Sequence, residues 1–240
     1  MNLLLIDPSE LSAPDRVWLT DRRAVHIREI HQAQVGDRLR AGMLNGLIGE
    51  AEVLNLDASG VELALDFSQP RQSPSPLPVI LVLALPRPKM LRRVLQAVAS
   101  LGVKEIWLIH SYRVDKSYWS SPLLDAAVIH EQLLLGLEQA GDTQLPVVHQ
   151  RKRFKPFVED ELPGLAAGRQ AWVAHPYHAQ PCPAPSDEPA LVAIGPEGGF
   201  IPYEVDKLNQ AGLKSLSLGS RILRVETAVP VLLTRLFPVS

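Results

Sequence analysis

Two short stretches of the chain carry residue types that periodicity and packing do not explain. Residues 194–200, IGPEGGF, follow the apolar run 190–194 and place three glycines and one proline in five positions. That is the composition of backbone that must pass very close to another group. Residues 218–228, LGSRILRVETA, break at Leu218-Gly219 in the same way, present Arg221 and Arg224, and then open a final apolar helix at Glu226-Thr227.

Glycine-rich turns between a strand and a helix offer N–H groups to anions, so phosphate binding is the first chemistry to consider. The spacing is wrong for it: the chain has neither G-x-x-x-x-G-K-[ST] nor G-x-G-x-x-G, and Glu197 at the centre of the turn would repel a phosphate. The seven histidines are scattered, and His175-Pro-Tyr-His178 does not put two rings on one helical face, so no metal site is expected. No G-x-S-x-G elbow exists for a nucleophile. A ligand read by backbone groups and not strongly anionic remains. S-adenosylmethionine fits, with its sulfonium cation, an adenine that main-chain N–H and C=O groups read well, and an amino-acid tail.

These turns need a scaffold. Residues 79–85 form a continuous apolar run of strand length, as suits a strand covered on both faces. Pro88 starts a helix with Leu91, Val94, Val98 and Leu101 on one face and Arg92, Arg93 and Gln96 elsewhere, and Gly102 ends it. Strand 104–109, a helix from Ser121-Pro122 to Gly141, strand 147–148, a helix near 157–162, strands 171–174 and 191–194, a helix 202–211, strand 216–218 and a helix 227–237 continue the alternation. Such a pattern predicts an α/β fold with a mostly parallel sheet covered by helices. Ligands of that architecture sit beyond the carboxyl ends of the strands, where both glycine turns fall.

The first 66 or so residues read differently, as a small β-rich module with one helix. Strands are expected at 3–6, 17–19, 47–54 and 61–67, with Thr20 capping a helix over 21–32 whose apolar face is Val25, Ile27 and Ile30. Residues 68–78, SQPRQSPSPLP, hold four prolines in eleven positions and mark a domain boundary. The expected domains are residues 1–70 and 76–240.

Composition is ordinary for a globular enzyme, with 46% hydrophobic and 21% charged residues in 240. The longest apolar runs fall far short of the ~20 residues a membrane span needs, and the first residues lack a basic segment followed by a long apolar one. A cytoplasmic protein is expected. The single cysteine, Cys182, excludes an intrachain disulfide and reads as a loop thiol between prolines. The formal charge of −2 divides unevenly: 7 Lys/Arg face 11 Asp/Glu up to Gln72, and 17 face 15 beyond it. Any nucleic-acid partner is therefore held by local patches, for which the candidates are Arg87, Lys89, Arg92 and Arg93; Arg151, Lys152, Arg153 and Lys155; and Arg221 with Arg224. A solvated surface explains the first two as well as function does.

The pair GPEGGF and LGSRILRVETA resembles the signature of the bacterial 16S rRNA uracil-N3 methyltransferases, which are SPOUT-class methyltransferases. Weaker correspondences run along the chain: Lys89 after a strand, Leu101-Gly102-Val103 ending a helix, Glu138-Gln139-Ala140-Gly141, and His175-Pro176 after a strand. The resemblance implies a PUA-like β-barrel at the N-terminus that binds RNA, a C-terminal domain folded into a deep trefoil knot, and a homodimer acting on 16S rRNA or the small ribosomal subunit. It implies a cradle for S-adenosylmethionine made of Ala174, His175, Ile194, Gly195, Pro196, Glu197, Gly198, Gly199, Leu218, Gly219, Ile222, Leu223 and Arg224, mainly through backbone, with Glu226 and Thr227 at its border. Methyl transfer to the imide nitrogen of uracil asks the protein to orient the base and to stabilise charge developing on its carbonyls. Arg224 is the first candidate for that role and Arg221 the second, the alternative for Arg224 being an ion pair with Glu226 or a partner. Glu197 has three candidate roles: a base, a contact for the amino group of the ligand, or a cap for the helix at Pro202.

Departures from the family pattern gather on the RNA side. Ala97, Ser100, Asp142 and Tyr177 stand where members commonly carry charged residues, and His31 and Gln32 replace a leucine-arginine pair. Two functions follow: methylation of rRNA, most simply at uridine N3 or at a diverged site, and a cofactor-binding or ribosome-assembly protein without turnover.

Overall fold

The computed structural model describes residues 1–238. They fall into two compact units, one of Met1–Ser75 with Leu134–Leu145, the other of Pro76–Leu133 with the chain from Pro146 onward.

The first unit is built on a six-stranded sheet of β1 (Leu4–Ile6), β2 (Leu11–Ala13), β3 (Arg16–Leu19), β4 (Arg38–Met43), β5 (Ile48–Leu56) and β6 (Val61–Arg71), in the order β1-β4-β5-β6-β3-β2. Only the β1–β4 pair is parallel. Along β6, Val61, Leu63 and Leu65 point inward and the residues between them outward, the two-residue period of a sheet with one buried face. They pack with Leu4, Ile6, Val17, Leu19, Ala51, Val53 and with Ile27 of α1 (Arg22–Glu29). Burial of each Val, Leu or Ile side chain among them contributes about 1.5–3 kcal/mol.

Local differences from expectation have local causes. Asp21, not Thr20, caps α1 through its bond from the Arg23 N–H at 2.8 Å. The helix stops at Glu29 because Gln32 takes a φ of +52°, and Ile30 is 68% exposed instead of buried. Strand β6 runs on to Arg71, paired with Ile48, so the first part of the proline-rich stretch belongs to the sheet. Segment 134–145 joins this unit: Asn2 and Leu3 both donate their N–H to the Glu138 carbonyl at 3.0 Å, and Arg22 grips the Glu138 carboxylate bidentately at 2.7 and 2.9 Å.

The second unit carries a seven-stranded sheet in which every pair is parallel: β7 (Val79–Ala84), β8 (Glu105–Ile109), β9 (Val147–Arg151), β10 (Gln170–Ala174), β11 (Gln180–Pro181), β12 (Ala190–Ile194) and β13 (Lys214–Ser217), ordered β11-β13-β10-β12-β7-β8-β9. Strands β7 and β12 are buried at every residue, as their unbroken apolar runs require. Helix α2 (Pro88–Ser100) buries Leu91, Val94, Leu95 and Val98, leaves Arg92 and Arg93 in solvent, and packs against α7 (Val225–Leu236). Ser121-Pro122 starts only a 3₁₀ turn, after which Asp125 is extended, and α3 (Ala126–Ala140) begins anew. It ends before Gly141, whose φ of +72° stops it. Helix α4 (Phe154–Pro156), a π turn (Phe157–Glu161) and α5 (Leu162–Ala166) follow β9, and α6 (Pro202–Gln210) precedes β13. Among the described residues, no helix is long and apolar enough to cross a membrane.

Candidate functional site

Strands β13, β10 and β12 are neighbours, and their register sets Ala174 opposite Ile194 on one side and opposite Leu216 on the other. The chain therefore leaves the sheet at three adjacent points on one edge, through Ala174-His175, Ile194-Gly195 and Leu218-Gly219. The His175 N–H continues the ladder to the Leu216 carbonyl at 2.9 Å. Three stretches separated by up to 44 positions in the chain thus meet at the carboxyl ends of parallel strands, where such folds hold ligands.

The turn after β12 is folded tightly on itself. A Cβ on Gly195 would lie 2.9 Å from the Phe200 nitrogen and 3.2 Å from both Cα and C of Gly199, so only glycine fits. Gly199 has a φ of +70° and donates its N–H to the Pro196 carbonyl at 2.7 Å. Gly198 lies under Arg113, whose Cδ would be 2.8 Å from an added Cβ and whose guanidinium donates to the Gly198 carbonyl.

Two carboxylates tie this turn to neighbouring loops. Glu197 Oε1 accepts the N–H of Arg87, the residue that precedes α2, at 3.0 Å. Buried Glu204 accepts from the Ile201 N–H at 3.0 Å and from the Tyr112 N–H at 2.7 Å. The start of α6 is thereby capped by Glu204 from its third position; Glu197 is turned to Arg87 and does not cap it. The four residues Arg87, Tyr112, Arg113 and Glu204 were not singled out around this turn from the sequence. Glu204 has the spacing of a capping box after Ile201, but isoleucine cannot supply the reciprocal acceptor that would have marked it.

In the second stretch Gly219 adopts a φ of +116° and shares hydrogen bonds with the Ser217 hydroxyl. Arg224 is the N-cap residue of α7, its carbonyl accepting from Thr227 at 2.9 Å and Ala228 at 2.7 Å. Its side chain is exposed, as is that of Arg221, and neither has an ion-pair partner among the described residues. The pairing with Glu226 is not formed. Leu218 and Leu223 are half-buried and Ile222 is 78% exposed, so apolar surface lines the approach.

His175 sits beside these loops with its ring edge toward Tyr177, 5.8 Å between centroids. Burial, and then the charge of His178, hold its imidazole below the ordinary 6.5. Of the basic groups, Arg151 is committed elsewhere: it grips Glu161 with bonds of 2.7–2.9 Å and lies 4.6 Å over the Trp107 ring. Arg87, Lys89, Arg92 and Arg93 are exposed. Among the described residues, no three His, Cys, Asp or Glu side chains are placed to hold a metal ion.

A family model described as an RNA methyltransferase domain matches residues 73–237. The chain belongs to this RNA methyltransferase family. A ribosomal RNA small subunit methyltransferase E of Treponema pallidum is 29% identical over 233 residues, covering 95% of this chain and 87% of that protein. Its namesake in Mesomycoplasma hyopneumoniae is 30% identical over 160 residues, or 65% of this chain and 68% of that protein. Among solved structures, the ribosomal RNA small subunit methyltransferase E of Neisseria gonorrhoeae, bound to S-adenosyl methionine, matches with a TM-score of 0.74 at 21% identity, covering 98% and 95% of the two chains. A Legionella pneumophila methyltransferase in complex with the cofactor SAM matches at 0.75 and 23%, covering 98% and 96%. The fold of this family is thus the SPOUT-class α/β architecture anticipated from the two motifs.

Proposed function

We propose that the protein is an S-adenosylmethionine-dependent methyltransferase of ribosomal RNA, acting on N3 of a uridine in 16S rRNA, as free RNA or within the small ribosomal subunit. The observation that carries this is the row formed by Ala174, Ile194 and Leu216, which brings the glycine turn and the Leu218-Gly219 turn of the family together.

The residues present suit the cofactor. Gly199 and Gly219 have open space where a side chain would stand, and the one carboxylate in the turn, Glu197, accepts the Arg87 N–H. Leu218, Ile222 and Leu223 supply apolar contacts for an adenine, and Ala174, His175 and Pro196 border it. S-adenosylmethionine, when bound, would supply the methyl group from its sulfonium, which departs as a neutral thioether. The protein orients the acceptor: the free guanidinium of Arg224, assisted by Arg221, hydrogen-bonds a uracil carbonyl oxygen and favours loss of the N3 proton to solvent water. We assign Glu197 the role of anchor of the turn. Residues 1–70 serve as the RNA-holding domain and residues 76–240 as the methyltransferase domain of a homodimer.

The test is transfer of labelled methyl from S-adenosylmethionine to rRNA of a strain lacking the protein. Incorporation at a single uridine N3 is expected. Cofactor binding without label in any RNA fraction would leave the assembly-factor reading instead.

A further inference from the structure

We propose that Tyr112 and Arg113 form an RNA-docking element beside the glycine turn, in which Tyr112 stacks on an unpaired base next to the methyl acceptor and Arg113 couples the adjoining phosphate to the turn. This rests on the reading of the protein as an RNA methyltransferase.

Tyr112 is 77% exposed, so its ring buries little within the chain. Its backbone is nevertheless fixed: the buried carboxylate of Glu204 accepts the Tyr112 N–H and, with its other oxygen, the Ile201 N–H that opens α6. The same helix start presents Tyr203, 50% exposed, one residue before Glu204. Arg113 lies along Gly198 and donates to its carbonyl, which occupies one of the five N–H donors of a guanidinium. An exposed aromatic ring on a fixed backbone and an arginine beside it are the means by which proteins take single-stranded RNA, since every base has a face to stack and every linkage a phosphate.

Charge decides for RNA over a protein partner. Of the acidic side chains of these loops, Glu204 is buried against the N–H groups of Tyr112 and Ile201, while Glu197 and Asp115 are exposed and each accepts one backbone N–H, from Arg87 at 3.0 Å and from Ser117 at 2.8 Å. Arg87, Arg113 and Lys116 are exposed. The surface around the two tyrosines therefore presents aromatic rings and three cations, beside two exposed carboxylates, Glu197 and Asp115, that each already accept a backbone N–H.

The experiment uses the full-length protein, a labelled single-stranded uridine-containing RNA followed by fluorescence anisotropy over a range of salt, and calorimetry with S-adenosylmethionine. Tyr112→Ala is expected to weaken RNA binding roughly ten- to hundredfold, while Tyr112→Phe, which keeps the ring, stays within about twofold of the wild type. Cofactor affinity is unchanged in both. Arg113→Ala is expected to lower the slope of log K against log salt by about 1, with Arg113→Lys restoring it. Equal RNA affinity for Tyr112→Ala and wild type overturns the proposal, as does an equal loss for Ala and Phe. A fall to half the solution mass in Tyr112→Ala would assign the ring to a contact between copies, and a wild type that binds cofactor but no RNA removes the reading on which the proposal rests.

Discussion

The Glu197 carboxylate accepts the backbone N–H of Arg87 at 3.0 Å, which fastens the centre of the glycine turn to the residue that precedes α2. Glutamine keeps that acceptor oxygen and removes the charge. Glu197→Gln should retain methyl transfer and cofactor binding, whereas Glu197→Ala should weaken cofactor binding roughly three- to tenfold, the worth of one hydrogen bond. Calorimetry and initial rates on both variants check this; loss of activity in the glutamine variant would make Glu197 a base.

The three glycines of the turn differ in what they tolerate. Gly195→Ala drives a Cβ into the backbone of Phe200 and Gly199 and should unfold the turn, costing about 1–3 kcal/mol and the cofactor with it. Gly199→Ala meets open space but a φ of +70°, a strain of about 1–2 kcal/mol. Gly198→Ala displaces only the Arg113 side chain and should be the mildest. Thermal melts with and without cofactor give the order.

The Arg224 side chain is exposed and has no partner among the described residues, so its removal should not alter the fold. Arg224→Ala should leave the melting temperature and cofactor affinity unchanged while reducing kcat roughly 10²- to 10³-fold, as for loss of a donor that acts on developing charge. Arg221→Ala should lose less. Single-turnover methylation separates the two.

Within the first unit, Glu138 is 3% exposed and Arg22 38%. Arg22→Ala leaves a buried carboxylate without its partner, at a cost of about 2–3 kcal/mol after allowance for the exposed end of the pair. Glu138→Gln leaves an arginine that can turn to water, and should cost less. Urea titration of the two variants tests the asymmetry.

Three histidines set an acid limit: His26, held below 6.5 by burial and then by the N-terminal amine, His110 and His175. His110, which accepts the Trp119 indole N–H at Nδ1 over 2.9 Å, is held below 6.5 chiefly by burial, with Glu204 opposing and Lys116 adding to the shift; His175 is held below it by burial and then His178. The unfolded chain therefore binds more protons in the window just below 6.5, and stability falls as pH drops through it. Above 6.5 this contribution is complete. Asp21 and Glu10 resist longer. Burial raises both carboxyls, but Arg23 outweighs it and holds them below 3.8 and 4.5, so their share is lost only in stronger acid. Denaturant midpoints at pH 7.5 and 5.5 should differ, and His110→Gln should reduce the difference.

The alternation of the second unit was legible because β7 and β12 are unbroken apolar runs and because Gly102 and Gly141 stop helices with positive φ. The placing of the two glycine turns beyond the strand ends followed from that alternation, and Ala174-His175 joined them only through the resemblance to the family. Strand β4 was hidden because Arg38 and Arg40 interrupt it, and β11 because two residues, one of them proline, carry no pattern. Arg113 and Tyr112 look like ordinary loop residues until Gly198 and Glu204 meet them, 85 and 92 positions away. Arg22 and Glu138 are 116 positions apart, and no local rule joins them.

The register of Ala174 with both Ile194 and Leu216 also has a consequence in time. Strand β12 enters the sheet between β10 and β7 after both have been made, and β13 then returns to the far side of β10. A growing chain released as far as Ile194 can hold the ends of β10 and β12 side by side, and the third strand end, at Leu216, joins them only when β13 emerges. The edge where the three turns meet is therefore completed only after most of the chain has been made, β13 being the last strand among the described residues.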